Sequence, residues 1–397
     1  MRPSAKGTRW SAAPSCHGRM GRDRPNPQNA DMDARTAPLL WMPRLVPKAE
    51  PAAPLDGRLR DRRHRPWRDL RISLTDRCNF RCGYCMPRSR FGPGHRFLPH
   101  AQLLNFDEIT QVAREALALG VRTLRLTGGE PLLRRDLAVL VRQLAALRTL
   151  EGTPPDLALT TNGSLLAGQA QALRDAGLCR VTVSLDALDD AVFQRMNDVG
   201  FPVAEVLRGL DAAQRAGFER IKVNMVVRRG VNDGEALPLA EHFRGSGMVL
   251  RFIEFMDAGC HNGWKMGEVM PSDELRARIA AIWPLEPMQA TRGGETAQRW
   301  RYADGAGEIG FISSVSHAFC GDCTRARLTA NGRLFTCLFA AHGHELRSLL
   351  REARNVDGLL RARLAEIWAG RSDAYSEQRE QLRSVRHDRA DMNVLGG

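Results

Sequence analysis

The sequence predicts an α/β fold in which parallel strands alternate with helices, followed by a smaller antiparallel region. Six short apolar strands, interspersed with helical segments, occupy residues 69–260. Strands and helices that alternate at this spacing form a parallel sheet, either a partial (β/α)6 barrel or a doubly wound open sheet. Two hairpin signals, one with Asn331-Gly332 at its turn, predict an α+β extension over residues 261–397.

Each element follows from its periodicity and its end signals. Residues 70–74 alternate apolar and polar side chains, as a short strand does. Residues 106–120 fit a helix, because Asp107 and Glu108 lie in its first turn and Gly120 ends it. The same criteria predict further strands at 123–126, 157–161, 180–184, 220–227 and 249–255. They predict two helices that end near 147 and 177 and two that span 203–217 and 235–243. Two hairpins are predicted, one pairing 299–302 with 308–313 and the other pairing 325–329 with 333–337.

Residues suited to ligand binding follow several of these strands. The carboxyl ends of parallel strands meet at one edge of a barrel or open sheet, so we expect the chemistry there. Gly128-Gly129 follows the second strand, and a backbone without side chains can approach a ligand closely. Ser184 ends the fourth strand. Met256 follows the sixth, where ordinary core packing is an equally good interpretation.

Charge and proline are concentrated near the start of the chain. The 397 residues carry a net charge of +13. Residues 1–68 contain 15 Lys or Arg, 6 Asp or Glu and 10 of the 21 prolines, whereas the remainder is close to balanced. We therefore expect a disordered basic leader rather than a nucleic-acid-binding domain, with an organellar transit peptide or a start assigned too early, at Met32 or Met42, as open alternatives. No apolar run approaches the ~18 residues that a membrane span needs.

A first group of cysteines with Cys-x3-Cys-x2-Cys spacing directly follows the first strand: Cys78, Cys82 and Cys85. A cubane iron–sulfur cluster normally takes four thiolates, so three leave one iron open to bind a second molecule. A structural zinc site is the alternative, but it needs four ligands and no fourth lies nearby. Six of the nine cysteines fall into two triplets, which favours metal binding in a reducing, cytoplasmic compartment over disulfides. The others are expected to be free thiols: Cys16, Cys179 and Cys260.

A second triplet surrounds the last predicted hairpin. Cys320 and Cys323 precede the hairpin and Cys337 follows it, so the Asn331-Gly332 turn brings the third cysteine back beside the pair. Three cysteines without a fourth again favour an iron–sulfur cluster with an open iron. The alternative is a zinc site completed by His317.

Two arginines lie on the strand between these cysteines. Arg325 and Arg327 are two residues apart and therefore share one face of the strand. Their planar guanidinium groups suit phosphate or the polar edges of a base through paired hydrogen bonds. Two solvated arginines on an edge strand are the alternative.

The stretch 77–87, with its first cysteine triplet, resembles the cluster-binding loop of the radical S-adenosylmethionine (SAM) enzymes. The resemblance implies a partial (β/α)6 TIM-like radical SAM barrel and a 4Fe–4S cluster whose open iron binds the amino and carboxylate groups of SAM. In that family an electron from the cluster splits SAM into methionine and a 5′-deoxyadenosyl radical, which takes a hydrogen atom from the substrate. The positions that match SAM contacts are Tyr84, Gly129, Ser184 and Met256.

From residue 70 onward the chain resembles the GTP 3′,8-cyclase family of molybdenum cofactor biosynthesis. The motifs that carry this resemblance lie at 71–78, 222–227, 251–257 and 320–327 and at the terminal Gly396-Gly397, a pair that reaches the active site in the family. The resemblance implies a second 4Fe–4S cluster against guanine, hydrogen abstraction from ribose C3′, and attack on guanine C8 to give 3′,8-cyclo-7,8-dihydro-GTP. The resemblance implies that Arg71, Arg325 and Arg327 are catalytic. The full set of implied GTP contacts is Arg71, Arg125, Thr160, Lys222, Arg325, Ala326 and Arg327.

The resemblance also implies partners. GTP is the substrate, a reducing protein such as flavodoxin or ferredoxin supplies electrons, and a cyclic pyranopterin monophosphate synthase takes the product. We expect a homodimer or a monomer that binds neither nucleic acid nor a membrane. Two other functions compete: a radical SAM enzyme with an auxiliary cluster that modifies a peptide, and a zinc module that binds nucleic acid through its leader. The segment 325–327 and the terminal glycines favour the nucleotide over the peptide.

Overall fold

The computed structural model describes residues 59–352, 356–379 and 389–396. Most of the predicted leader lies outside these ranges, as do Cys16 and Gly397. Residues 59–68, which the sequence assigns to the leader, pack against the folded body. The buried Trp67 ring stacks on Trp368 with centroids 5.4 Å apart.

Six parallel strands in chain order form the centre of the sheet. They are β1 Asp69–Ser73, β2 Thr123–Thr127, β3 Asp156–Thr161, β4 Arg180–Ser184, β5 Ile221–Val227 and β6 Val249–Glu254. Each strand pairs in parallel with the next, and the order never reverses. A doubly wound sheet reverses its order at a switch point. The partial (β/α)6 barrel is therefore confirmed, and the doubly wound alternative is wrong.

Helices cover one face of these strands. They are α1 Phe106–Ala118, α2 Leu137–Ala145, α3 Ala170–Asp175, α4 Asp190–Asn197, α5 Val203–Arg215, α6 Ala236–Phe243, α7 Ser272–Ala280, α8 Arg347–Glu352 and α9 Val356–Ala369. The short helix α10 Met392–Leu395 lies instead at the cavity, which Met392 lines. Alternate strand residues such as Leu70 and Ile72 form one core with the helices, which leaves the other strand face free to line a cavity. α1 begins with a capping box between Asn105 and Glu108. Within the described ranges, none of the helices has the length and apolarity that crossing a membrane requires.

The C-terminal extension adds strands to both edges of the barrel sheet. These strands are β7 Leu285–Met288, β8 Gln298–Tyr302, β9 Glu308–Ile312, β10 Arg325–Leu328, β11 Arg333–Phe335 and β12 His344–Glu345. The two predicted hairpins are confirmed as the antiparallel pairs β8–β9 and β10–β11. The sequence did not indicate where they attach: β9 pairs in parallel with β6, and β10 pairs in parallel with β1. The segment 313–324 therefore connects opposite edges of the sheet, and it contains Cys320 and Cys323.

Candidate active site

The inward face of the strands encloses a cavity with a cysteine triplet at each end. Both predicted triplets line it: Cys78, Cys82, Cys85, Cys320, Cys323 and Cys337. The first triplet follows the carboxyl end of β1. The second lies at the amino end of the sheet, because Arg325 pairs with Asp69, the first residue of β1. The length of β1 separates the two ends by roughly 13 Å. The expectation that the chemistry gathers at the carboxyl ends is thus wrong for the second triplet.

Close backbone contact with Gly128-Gly129 fixes the first cysteine loop. The Gly129 amide donates to the Thr75 carbonyl at 2.8 Å, and the next amide, of Glu130, donates to the Arg77 carbonyl at 2.8 Å. A Cβ atom at Gly129 would lie 2.1 Å from the Arg77 carbonyl oxygen, and Gly128 has a φ of +139°. Only glycine permits this approach. Gly129 also lines the cavity, where the predicted SAM contact would be made.

The buried Glu130 connects this loop to the end of β3. Its carboxylate accepts hydrogen bonds from the Thr161 hydroxyl at 2.7 Å and the Asn162 amide at 2.7 Å. Burial raises the pKa of Glu130 to about 7, although these hydrogen bonds favour the charged form. The Asn162 side chain then donates to Asn79 Oδ1 at 2.8 Å, within the cysteine loop.

The predicted SAM residues all line the cavity: Tyr84, Gly129, Ser184 and Met256. The Tyr84 hydroxyl donates to Asp186 Oδ2 at 2.8 Å, which fixes the ring beside the cysteines. Met256 is half-buried at the cavity wall, unlike a core residue, and its carbonyl accepts a hydrogen bond from Asn262 at 2.9 Å. Burial raises the pKa of Asp186 to about 6.

Arginine side chains hold the second triplet in place. Arg65 donates to the Cys320 carbonyl at 2.8 Å, and Arg371 donates to the Cys323 carbonyl at 2.7 Å. Both arginines pair with the buried carboxylate of Asp61, at 2.6 and 3.5 Å respectively. Residues far apart in the sequence therefore converge on this loop.

One thiol of the second triplet, that of Cys323, ionises more readily than the thiols of the first triplet. Burial raises the pKa of Cys78 to about 11, and it also raises the pKa values of Cys82 and Cys85. Burial alone would raise the pKa of Cys323, but Arg325 and Arg371 lower it to about 6. Burial, with Asp373, raises the pKa of Cys337 to about 12. A metal cluster would supply positive charge to the remaining thiolates.

The zinc alternatives lack support at both ends. In the part of the chain that the structure describes, no group of three His, Cys, Asp or Glu side chains is spaced to hold a single metal ion. Cysteines of a cubane each bind a different iron. His317 does not line the cavity; its side chain is 54% exposed and faces Asp273 at 3.8 Å. Cys179 and Cys260 are exposed and reduced.

A belt of basic side chains lines the amino half of the cavity. Its members, called here the cationic belt, are Arg71, Arg125, Arg180, Lys222, Arg251, Arg325 and Arg327. Burial and the neighbouring arginines lower the pKa of Arg71 well below its ordinary value, and burial, Arg251 and Arg180 lower the pKa of Lys222 to about 7. Such shifts show that positive charges are crowded in a poorly hydrated space.

The belt keeps much of its charge uncompensated. Arg125 donates to the neutral hydroxyls of Thr160 and Thr182, at 3.0 and 3.3 Å. The Arg327 Nε atom is buried and has no hydrogen-bond partner among the described residues. Arg180 is an exception, because it forms a charged pair with Asp156. Buried charges without partners are costly, so the belt is suited to a bound polyanion.

Five of the predicted GTP residues belong to the cationic belt, and a sixth, Thr160, accepts a hydrogen bond from Arg125 of the belt. Ala326 does not belong to the belt: its side chain is fully buried in the hydrophobic core, so that only its backbone can face a ligand. The sequence reasoning missed Arg180 and Arg251. Strand alternation could have found the first, because Arg180 shares a strand face with Ser184.

The C-terminal segment contacts the carboxyl ends of β1 and β2. The Ser73 hydroxyl donates to the Val394 carbonyl at 2.9 Å, and Asn393 donates to the Asp76 carbonyl at 3.0 Å. Gly396 has a φ of +70°, and a Cβ atom there would lie 2.2 Å from a Thr127 methyl group. Thr127 lines the cavity, so the first glycine of the predicted terminal pair lies beside it.

Two family models match the chain. Residues 72–243 match the Radical SAM superfamily model, and residues 248–377 match Molybdenum Cofactor Synthesis C. The barrel and its cysteine loop thus define a radical SAM protein, a class whose members use a 4Fe–4S cluster and SAM.

Curated relatives indicate the family within the radical SAM class. GTP 3′,8-cyclase of Acidothermus cellulolyticus is 55% identical and the match covers 81% of this chain and 88% of the relative. GTP 3′,8-cyclases of Xanthomonas campestris pv. campestris (strain B100) and Staphylococcus epidermidis (strain ATCC 12228) are 52% and 42% identical, each over 85% of this chain and 97% or 99% of the relative. The chain belongs to the GTP 3′,8-cyclase family.

A solved structure supports the fold independently. Streptococcus suis SuiB superposes with a TM-score of 0.54 at 14% identity, over 79% of this chain and 74% of that chain. At this identity the likeness shows the fold alone.

Proposed function

We propose that this protein is a GTP 3′,8-cyclase, which converts GTP to 3′,8-cyclo-7,8-dihydro-GTP in the first step of molybdenum cofactor biosynthesis. The observation that carries the proposal is the cationic belt, a set of basic side chains that lines a cavity with a cysteine triplet at each end. The family membership agrees with it, and no feature of the described residues favours a peptide substrate over a nucleotide.

The carboxyl end of the cavity would bind the radical source. Cys78, Cys82 and Cys85 would hold the 4Fe–4S cluster, because all three line the cavity on a loop that the glycines fix. A cluster and SAM held there would supply the 5′-deoxyadenosyl radical needed to take hydrogen from ribose C3′. Tyr84 would lie against adenine, and Gly129, Ser184 and Met256 would complete the SAM pocket.

The amino end would hold a second 4Fe–4S cluster on Cys320, Cys323 and Cys337. Two features support this proposal. Cys323 has its pKa lowered to about 6, which favours the thiolate that ligates iron. The β10–β11 pairing, with Arg327 opposite Phe335, brings Cys337 back beside the other two cysteines.

The cationic belt would bind and orient GTP. Arg325 and Arg327 would act beside the second triplet, where guanine is expected. Arg71, Arg125, Thr160 and Lys222 would receive the ribose and triphosphate, so that fixed charges replace the water around the phosphates. Rigid partners such as the Thr160 hydroxyl hold Arg125 in position before substrate arrives.

We further propose that a reducing protein, such as flavodoxin or ferredoxin, docks beside the first cysteine loop. Gly83, between two of the ligands, is exposed, and so are Arg77, Arg90 and Arg96 nearby. An acidic carrier would be attracted to such a surface. The product would pass to a cyclic pyranopterin monophosphate synthase, and a homodimer or a monomer remains the expected state.

Anaerobic reconstitution followed by incubation with GTP, SAM and dithionite tests the proposed function. Mass spectrometry should detect 5′-deoxyadenosine together with a cyclised product of GTP. Formation of 5′-deoxyadenosine without any change to GTP would show a different substrate. A reaction without reductant gives the background.

A further inference from the structure

The loop between β7 and β8, residues 289–297, spans the amino mouth of the cavity. β7 and β8 lie at one edge of the sheet, beyond β9. Arg292 of this loop nevertheless contacts the opposite side: its guanidinium donates to Thr123 Oγ1 of β2 at 3.0 Å and lies 3.5 Å from Asp69 Oδ1 of β1. The loop therefore bridges strands that are distant in the sheet order.

A second contact fixes the loop next to the cysteine segment. The Gly294 carbonyl accepts a hydrogen bond from Arg325 at 3.2 Å. Gly294 has a φ of +80°, and a Cβ atom there would lie 2.8 Å from the Asp322 carbonyl oxygen. The close approach requires glycine, and it places Arg292 at the cavity rim.

Arg292 has hydrogen-bond donors left for a further partner. Its side chain is 41% exposed, and its contacts with Thr123 and Asp69 occupy only part of a guanidinium that has five N–H donors. Glu295 of the same loop also lines the cavity, and its charge acts on Lys222 and Arg251 of the belt. The loop thus adds both a cation and an anion to the substrate side.

We propose that Arg292 binds the terminal phosphates of the nucleotide and so makes the site select a nucleoside triphosphate over a monophosphate. The inference rests on the proposed function. With guanine beside the second triplet, the phosphates would lie along the belt, which occupies the same amino half of the cavity as Arg292. Arg292 lies over the first residues of β1 and β2, near enough to Arg125 of the belt for its charge to lower the pKa of Arg125. Terminal phosphates that reach Arg125 would therefore also reach Arg292.

The test compares binding of GTP and GMP to the reconstituted holoenzyme by equilibrium dialysis. Arg292→Gln should weaken GTP binding about tenfold or more, as expected for loss of charge-assisted hydrogen bonds, and leave GMP binding within about twofold. Arg292→Lys should recover part of the GTP affinity. The matched control is Arg301→Gln, because Arg301 lies on the same hairpin but pairs with Glu286 outside the cavity.

The outcomes separate the two proposals. Equal losses for GTP and GMP in Arg292→Gln would show that Arg292 only holds the loop, and unchanged binding would show that it contacts no phosphate. Either result overturns the inference and leaves the cyclase proposal standing. Failure of the unmodified holoenzyme to bind GTP at all would overturn both.

Discussion

The two ends of the cavity each hold three cysteines, and the charged groups around Cys323 at the amino end differ from those around the first triplet. At the carboxyl end the nearby ionisable groups include Glu130 and Asp186, and the loop is fixed by backbone contacts. At the amino end Arg325 and Arg371 surround Cys323, and arginine side chains fix the loop. SAM is a sulfonium cation and GTP is a polyanion. If both triplets ligate clusters as proposed, the difference teaches that neighbouring charges can select which molecule binds beside each cluster.

The largest expected effect comes from removing one ligand at the carboxyl end. Cys82→Ala should abolish 5′-deoxyadenosine formation, because a cluster with a missing thiolate cannot present its open iron to SAM. The iron and sulfide content of the protein should fall by about half, since the triplet at the amino end would still hold its own cluster. Cys179→Ala, an exposed cysteine outside the cavity, serves as the control. Loss of all iron would contradict the independence of the two ends.

A stability measurement sharpens the contrast in how the loops are fixed. Asp61→Ala should destabilise the protein by about 3–5 kcal/mol, because it leaves Arg65 buried without its carboxylate and removes one of the two carboxylates that pair with Arg371. Chemical denaturation of the reconstituted protein measures this loss. Asp304→Ala, at an exposed turn, should cost less than about 1 kcal/mol. Equal stability of both variants would show that the ion-paired cluster does not support the amino end.

A backbone substitution tests how the cysteine loop at the carboxyl end is fixed. Gly129→Ala should weaken SAM binding about tenfold, because the new methyl group would overlap the Arg77 carbonyl and displace the cysteine loop. Gly168→Ala, where a Cβ atom meets nothing within 4 Å, is the matched control. SAM affinity measured by equilibrium dialysis should separate the two, and unaltered affinity in Gly129→Ala would refute the close-approach account.

The smallest effect concerns Lys222 and pH. Its pKa of about 7 means that it is mostly charged at pH 6 and mostly neutral at pH 8. A bound polyanion favours the charged form, so GTP binding should take up a proton and weaken severalfold between pH 6 and pH 8. Lys222→Arg should show a smaller pH dependence, because guanidinium stays charged. Proton uptake, measured by calorimetry in buffers of different ionisation enthalpy, should fall in that variant. Equal uptake in both proteins would assign the proton elsewhere.

The sequence predicted the barrel well because its strands and helices are local patterns in chain order. Both cysteine triplets and the hairpin at Asn331-Gly332 are also local signals, and all six cysteines of the triplets line the cavity. The attachment of β9 and β10 to opposite edges could not be predicted, because pairing between strands that are far apart in the sequence leaves no short-range pattern.

Three residues differ in how far the sequence could indicate their positions. Arg180 was visible in principle, since it shares a strand face with Ser184. Arg292 was not, because it lies in an irregular loop whose path depends on a contact between Gly294 and Arg325. Asp61 fell within the supposed leader, where charge composition concealed a buried ion pair.

The division of labour between the two ends is tested most directly by the double variant Arg325→Ala, Arg327→Ala. Its iron content and its SAM affinity should equal those of the unmodified holoenzyme, because thiolates ligate the clusters and the carboxyl end is untouched. GTP turnover should fall below detection, since the second triplet then lacks its two neighbouring cations. Unchanged GTP turnover in that variant would contradict the placement of the substrate at the amino end.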